Sequence, residues 1–522
     1  MILTGKHLIG AQFIALGNET FNAYKATDES IIEMPFYEAT ADEVNDACAA
    51  AASAFEIYKT KSGVEIAEFL EAIAEEIIGL GDILIETSKT ETGLPDARLK
   101  GERGRTSGQL NLFAKMLREG SWINAIIDKA QPDRQPLPKP DIRMMQVPIG
   151  PVAVFGASNF PFAFSVAGGD TVSALAAGCT VVFKAHPAHP TTCELVAIAI
   201  NKAIQKCNMP AGIFNMVQGA SHQTGSALVT NPYIQAVGFT GSFKGGKALY
   251  DLATKREQPI PVYAEMGSVN PVFFLPRVLK EKGAGLAKSL AESVTMGVGQ
   301  FCTNPGMFVV EQSADAEAFV SKTKEELVAI SVGPMLTSNI KNAFLSGVDK
   351  IKQIKGVSCL TEAIEGKLNP HLFTSSVAQV LVNEEIAEEV FGPSTVGVYA
   401  NNKEEVLEFA RKLKGNLTAT IFGTEEDLLN YHELVNILQQ KVGRLIFNNF
   451  PTGVEVTHAM VHGGPFPATT DSRSTSVGTT AIYRFTRPVC FQNCLDELLP
   501  DALKNSNPLK ITRVVDGISG KI

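Results

Sequence analysis

No stretch of the chain approaches the ~18 continuous apolar residues of a membrane span. Its first residues, Met1 through Gly10, hold no apolar run of signal-peptide length. Both absences lead to the expectation of a cytoplasmic protein. A cationic surplus is missing too: 46 Lys and Arg against 55 Asp and Glu leave a formal charge of −9, which argues against a nucleic-acid surface. The eight cysteines are scattered and include no paired CxxC spacing, so the usual grounds for a zinc or dithiol redox centre are absent. Reduced and mostly buried thiols are the expectation. Internal repeats and low-complexity segments do not stand out either. What is present is an ordinary globular composition, 45% hydrophobic and 19% charged over 522 residues. A chain of that length exceeds one compact core, so two domains with appendages are expected.

The first hundred residues read as helical. Val44, Cys48, Ala51 and Phe55 recur at helical spacing between Ala41 and Tyr58, and Ile66, Phe69, Ile73 and Ile77 form a second stripe closed by Gly79 to Gly81. Prolines 132, 136, 138, 140 and 148 then impose an extended arm, with a strand over Ile142 to Val147. From Val152 the rhythm turns to strand and helix in alternation. Strands are expected at Val152–Phe155, Cys179–Phe183, Ile213–Val217 and Ala236–Phe239, and helices over Pro161–Ala177 and Thr191–Lys206. That alternation implies βαβ units and a mostly parallel sheet. A second α/β region runs from about Gly283 to Phe450 and includes strand-like Phe308–Glu311 and Thr418–Phe422.

Several residues could carry chemistry, each with a blander alternative. Cys302 lies in a Gly- and Pro-bracketed loop, Gly299 to Gly306, where an exposed thiolate would be a strong nucleophile; taken alone, such a cysteine is more often a packing residue. Glu265 ends the β-like run Pro261–Ala264 and would suit a general base in an apolar setting, or a surface strand terminus. Asn159 follows a strand, and its amide could donate to an oxyanion or cap the next helix. Lys184 stands at the carboxyl end of a strand, where α/β sheets bind ligands. Gly238 to Ser242, followed by Gly245 and Gly246, forms a strand–turn–helix suited to a phosphate, although it is not the GxGxxG fingerprint.

In combination and in this order, these motifs resemble the aldehyde dehydrogenase superfamily: Asn159 in ASNFPF, Lys184 in VVFKAHP, GFTGS at 238–242, Glu265 in AEMG, Cys302 in GQFCTNPG, and Glu389 to Pro393 in EVFGP. The resemblance implies an aldehyde dehydrogenase fold: a Rossmann-like cofactor domain (1–130 and 151–264), an α/β catalytic domain (265–470), and an oligomerisation arm with a C-terminal tail (131–150 and 471–522). It also implies roles. Cys302 would attack the aldehyde, with Asn159 and the Cys302 backbone N–H holding the oxyanion. Glu265 would activate the water that hydrolyses the thioester, without a metal. Lys184 would hold the adenosine ribose, Gly241, Ser242 and Gly246 would lie at the pyrophosphate, and Glu389 and Phe391 at the nicotinamide riboside.

Departures from the common pattern carry information. Pro187, with His186 and His189 nearby, occupies the position where NAD-preferring relatives often carry a Glu, so NADP as well as NAD is expected. EMGSVNP at 265–271, HPAHP and the run HGGPFPATTDSRSTS resemble the branch of α-ketoglutaric semialdehyde (2,5-dioxopentanoate) dehydrogenases, with NADP-dependent fatty aldehyde dehydrogenases as neighbours. A carboxylate-bearing substrate would want a guanidinium, for which Arg105 is the candidate, against the alternative of a solvated helix arginine. A CoA-acylating relative usually lacks a base equivalent to Glu265, and a catalytically silent one would have lost Cys302 or Glu265; both residues are present. The arm and strand-like Thr480 to Phe485 lead to an expected homodimer, or dimer of dimers, joined at sheet edges.

Overall fold

The computed structural model describes residues 2–362 and 368–521. Met1, Ile522 and residues 363–367 of the expected segments lie outside the described residues. Its framework is two seven-stranded sheets. In the first, strands Val262–Glu265, Ala236–Thr240, Val152–Phe155, Val181–Lys184 and Phe214–Val217 run parallel in that spatial order. The short hairpin His7–Ile9 and Gln12–Ile14 is added antiparallel at one edge. In the second, His371–Ser376, Ser394–Ala400, Met307–Glu311, Val272–Phe274, Asn416–Phe422 and Val442–Phe447 are parallel, with Ser358–Cys359 antiparallel at the edge. The parallel strands read as near-continuous apolar runs because helices cover both faces.

The helix Ala41–Tyr58 forms where the spacing predicts it, started by a reciprocal Thr40–Glu43 capping box. The helix Gly63–Gly79 begins with the same device at Ser62 and Glu65 and buries Ile66, Phe69, Ile73 and Ile77. The expectation of a helical first hundred residues is corrected at its start, where Thr20–Tyr24 and Ile31–Tyr37 pair as a ribbon alongside the edge hairpin. The helix expected over Pro161–Ala177 is confined to Gly169–Ala176. Before it, the N–H groups of Phe162 and Ala163 donate to Glu102 Oε1 at 2.9 and 3.0 Å, which satisfies them without a helical turn.

The arm strand Ile142–Pro148 forms as expected and belongs to a third sheet, paired with Thr486–Gln492 on one side and Ile126–Asp128 on the other. Thr480–Phe485 is not a strand. It lies in the short 3-10 helix Thr479–Phe485, which buries Ala481, Ile482 and Phe485 in the core beneath the first sheet. Arg484 in this helix meets Asp170 at 2.7 Å, both side chains almost fully buried. Among the described residues no helix is long and apolar enough to cross a membrane.

Removing one partner of a buried ion pair strands the other charge. Arg484→Leu should therefore lower stability by about 3–5 kcal/mol, read as a fall in thermal midpoint. The double variant Asp170→Asn/Arg484→Leu should lose less than the single one; an equal or greater loss would show that the pair is not what anchors this segment.

Candidate active site

The strands of the first sheet reverse their order of addition between Val152–Phe155 and Ala236–Thr240. Loops leaving the carboxyl ends of such neighbours diverge and open a crevice. Asn159 follows one of these strands and Gly241 the other, Lys184 ends the next strand along, and Glu265 ends the edge strand. The second sheet presents its opposite end here: Cys302 precedes the strand Met307–Glu311, and Glu389 and Phe391 precede Ser394–Ala400. The site thus lies between the exit edge of one sheet and the entry edge of the other.

The thiol loop is held in an unusual path. Gly297, Val298 and Gly299 all have positive φ, at 56°, 61° and 66°, a conformation that costs a β-branched residue such as Val298 on the order of 1–3 kcal/mol. At Gly299 a Cβ would come within 2.3 Å of the Gly392 carbonyl, so this loop and the loop carrying Glu389 touch backbone to backbone. Asn159 Nδ2 donates to the Gln300 carbonyl at 3.0 Å, and Asn270 Nδ2 donates to the Cys302 carbonyl at 2.8 Å. Asn159 is therefore tied to the thiol loop and does not cap a helix. Its amide has a second N–H to offer.

Glu265, Cys302 and His462 place their functional atoms within 4.8 Å of one another. His462 Nε2 lies 3.0 Å from Glu265 Oε1 and 3.4 Å from Cys302 Sγ. Ser476 Oγ donates to the other Glu265 oxygen at 2.6 Å. Burial pushes the Glu265 carboxyl up, but His462, Ser476 and the Cys302 thiol outweigh it, and the group is held below the usual carboxylate range. Cys302 moves the other way: burial, then the charges of Glu265 and Glu389, raise its thiol well above the ordinary value, against a downward pull from Arg105. The resting pair is a thiol beside a carboxylate. His462 and Ser476 went unassigned in the sequence. They lie 160 and 174 positions from Cys302, and only the closing of their loop onto the strand Val262–Glu265 brings them in, through Met266 N donating to the Ala468 carbonyl and Thr470 N to the Ala264 carbonyl.

Arg105 is not a solvated helix arginine. Its guanidinium packs against the rings of Phe160 and Phe164, 5.7 and 5.2 Å from their centroids. Its Nε and one terminal nitrogen are buried without a hydrogen-bond partner among the described residues. It lines a cavity of about 460 Å³ with Gln109, Lys115, Glu455 and Val456. Neighbouring Arg98 is occupied, bonding Glu102 and the Asn159 carbonyl.

With this geometry, sequence comparison is decisive. The profile of the aldehyde dehydrogenase family matches residues 15–476. The chain belongs to that family. It is similar to "Alpha-ketoglutaric semialdehyde dehydrogenase 2" of Azospirillum brasilense, 47% identical over 99% of both chains, and to "Alpha-ketoglutaric semialdehyde dehydrogenase" of Acinetobacter baylyi, 48% identical over 98% of both. Among solved structures, HpcC from Thermus thermophilus superposes with a TM-score of 0.80 at 23% identity, covering 94% of each chain, which shows the fold alone. Members of this family are NAD(P)-dependent aldehyde oxidoreductases, and so is this chain.

The residues present fit a dinucleotide. Ser242 caps the helix Phe243–Thr254, accepting from Gly245 N, and leaves the amides of an exposed first turn facing the crevice. A Cβ at Gly246 would come within 2.8 Å of Met266 Sδ, so the turn packs closely on the strand end and a larger residue would have to push the Met266 side chain aside. Thr240 Oγ1, at the mouth of the same turn, is buried and unpartnered among the described residues. Lys184 Nζ donates to the Gly219 carbonyl at 2.5 Å. Glu389 sets its carboxylate over Gly267. Pro187 sits in a turn behind stacked His186 and His189, whose rings are 5.5 Å apart. Glu38, which no motif marked, comes close enough to influence Lys184, but its oxygens accept from Ala220, Ser221 and Thr224.

Burial pushes the Lys184 ammonium down to about 8, with Glu38 opposing. NADP affinity should accordingly fall as pH rises through about 8, where the charge is lost. Lys184→Met should weaken binding about 10- to 100-fold below that pH, the worth of a charge-assisted hydrogen bond. Fluorescence titration at about pH 7 and about pH 9, on either side of that loss of charge, tests both; a flat profile in the wild type would remove Lys184 from the adenosine end of the cofactor.

Proposed function

We propose that this chain oxidises a semialdehyde bearing a carboxylate, 2,5-dioxopentanoate to 2-oxoglutarate, through a thioester on Cys302. The observation that carries the substrate reading is the Arg105 guanidinium, which lines a cavity, packs on Phe160 and Phe164 within electrostatic reach of Cys302, and has two nitrogens without a hydrogen-bond partner among the described residues. The names of the two full-length relatives support it. Buried guanidinium nitrogens without hydrogen-bond acceptors are costly unless a ligand supplies them.

In this reading the aldehyde carbon meets Cys302 Sγ, and the thiol proton passes to Glu265. The free N–H of Asn159 and the Cys302 backbone N–H hold the oxygen as it becomes an alkoxide. The nicotinamide, when bound, supplies the hydride acceptor. Glu265 gives the thiol proton up to solvent and, ionised again beside Ser476 and His462, takes a proton from the water that attacks the thioester, and Cys302 leaves as thiolate. Lys184, Gly241, Ser242 and Gly246 hold the adenosine end of the cofactor, and Glu389 and Phe391 its nicotinamide end. With no carboxylate at 187 and Glu38 otherwise engaged, both NAD and NADP are accepted. The domain roles follow the two sheets, the first for cofactor and the second for the thiol. A required free thiol suits the reducing cytoplasm. The open outer edge of Thr486–Gln492, paired on one side only, is the surface on which two copies join.

Cys302→Ser should abolish oxidation. Glu265→Gln should release one equivalent of reduced cofactor and retain the acyl group as a thioester visible by intact mass. Wild-type enzyme should yield free acid without CoA. Arg105→Ala should raise KM for 2,5-dioxopentanoate about 10- to 100-fold and leave KM for a neutral aldehyde of equal length unchanged. Full activity in Cys302→Ala would overturn the mechanism, and equal KM changes for both aldehydes would overturn the substrate.

A further inference from the structure

His462 has no step of its own in the thioester chemistry, yet its imidazole is fully buried between the two groups that perform it. Its backbone is fixed on both sides: its N–H donates to Thr475 Oγ1 at 2.8 Å, and its carbonyl accepts from Ser476 N at 2.8 Å and from Ser476 Oγ at 3.1 Å. Ser476 in turn bonds Glu265, so one short segment sets the positions of imidazole and carboxylate together.

The tautomer follows from the partners. Nδ1 is buried and has no hydrogen-bond partner among the described residues. An N–H there would be an orphaned donor, which is rarer and costlier than an unused lone pair. The proton therefore belongs on Nε2, the nitrogen 3.0 Å from Glu265 Oε1 and 3.4 Å from Cys302 Sγ. That N–H is directed at Cys302 Sγ, a sulfur that must become anionic, while Glu265 Oε1, though 3.0 Å away, has no hydrogen-bond partner among the described residues.

We propose that His462 is a fourth catalytic group beside Cys302, Glu265 and Asn159, whose Nε2–H, directed at Cys302 and a short swing from Glu265, stabilises whichever of the two is the anion. When the Cys302 S–H bond breaks, the proton forms an O–H bond on Glu265, and the His462 donor stays on the new thiolate and not on the neutralised carboxyl. When Glu265 releases that proton to solvent, the donor can swing to the carboxylate until Glu265 draws another proton from the attacking water. It turns once more to sulfur as the thioester cleaves. Nε2 keeps its proton throughout, so the imidazole acts as a donor and not as a base.

The other charges around the sulfur do not supply this. Glu265 and Glu389 disfavour the thiolate, and Arg105 and Arg444 favour it only through space. Asp170, the remaining carboxyl that senses Glu265, is paired with Arg484.

The inference rests on Cys302 being the nucleophile, and the test separates the two. Cofactor-free protein is alkylated with iodoacetamide across roughly pH 6–10, a range that spans ordinary thiol titration, and the modified cysteine is identified by peptide mapping. His462→Ala should move the midpoint of Cys302 alkylation upward by about one to two pH units, the equivalent of losing a hydrogen bond to a charged group. His462→Gln, which fills the space and keeps an N–H but cannot titrate, should recover part of that shift. It should also recover part of the deacylation rate measured after a burst of the semialdehyde. Coincident profiles for His462→Ala and wild type would overturn the proposal, and an equal shift in the Gln and Ala variants would reduce His462 to packing. Failure of Cys302 to react faster than Cys359 and Cys490 at any pH would instead count against the nucleophile.

Discussion

A carboxylate removed from water has to find hydrogen-bond donors inside the protein, and the segment that supplies them to Glu265 organises the whole site. Glu265 ends a strand of the first sheet in a place where burial alone would neutralise it. Ser476 and His462 hold it charged, and both come from a loop that leaves the second sheet and returns across the cleft. That loop zips onto the strand through the Ala264, Met266, Ala468 and Thr470 backbone bonds. The two sheets are thereby fastened at the point where a thiol from one faces a base from the other.

The site is electrostatically unsymmetrical for a reason. Carboxylate and thiol lie within bonding reach, and two like charges cannot both be favourable there. Glu265 keeps its charge because His462 and Ser476 stand close to it, while Cys302 keeps its proton because burial and the charges of Glu265 and Glu389 oppose the thiolate. A thiol held protonated in this way is less open to stray oxidation than a thiolate. The same low-dielectric setting leaves two nitrogens of Arg105 screened from water and bonded to no described protein group, a cation waiting on an anionic ligand.

Much of the fold was legible because it depends on local periodicity. The helix at Ala41–Tyr58 and the βαβ strands at Val152, Val181, Phe214 and Ala236 follow from apolar spacing and from Gly and Pro punctuation. Reading failed where a distant partner overrode local preference. Glu102 captured the amides of Phe162 and Ala163, so no helix began there. Asp170 and the core under the first sheet drew Arg484, Ala481 and Phe485 into a tight helical turn in place of a strand.

The sequence alone determined which chemistry the chain can attempt: a nucleophile, a base, an amide donor and a lysine stand in an order that identifies the family, because each sits at the end of an element whose period can be read. It also held Pro187 and Arg105, on which the cofactor and substrate proposals rest. Only the tertiary structure decided who assists them. His462 and Ser476 have no periodic relation to Cys302 or Glu265, and Glu38 none to Lys184. Their roles arise from loop closure across the sheets, where burial and hydrogen-bond satisfaction act between residues more than a hundred positions apart.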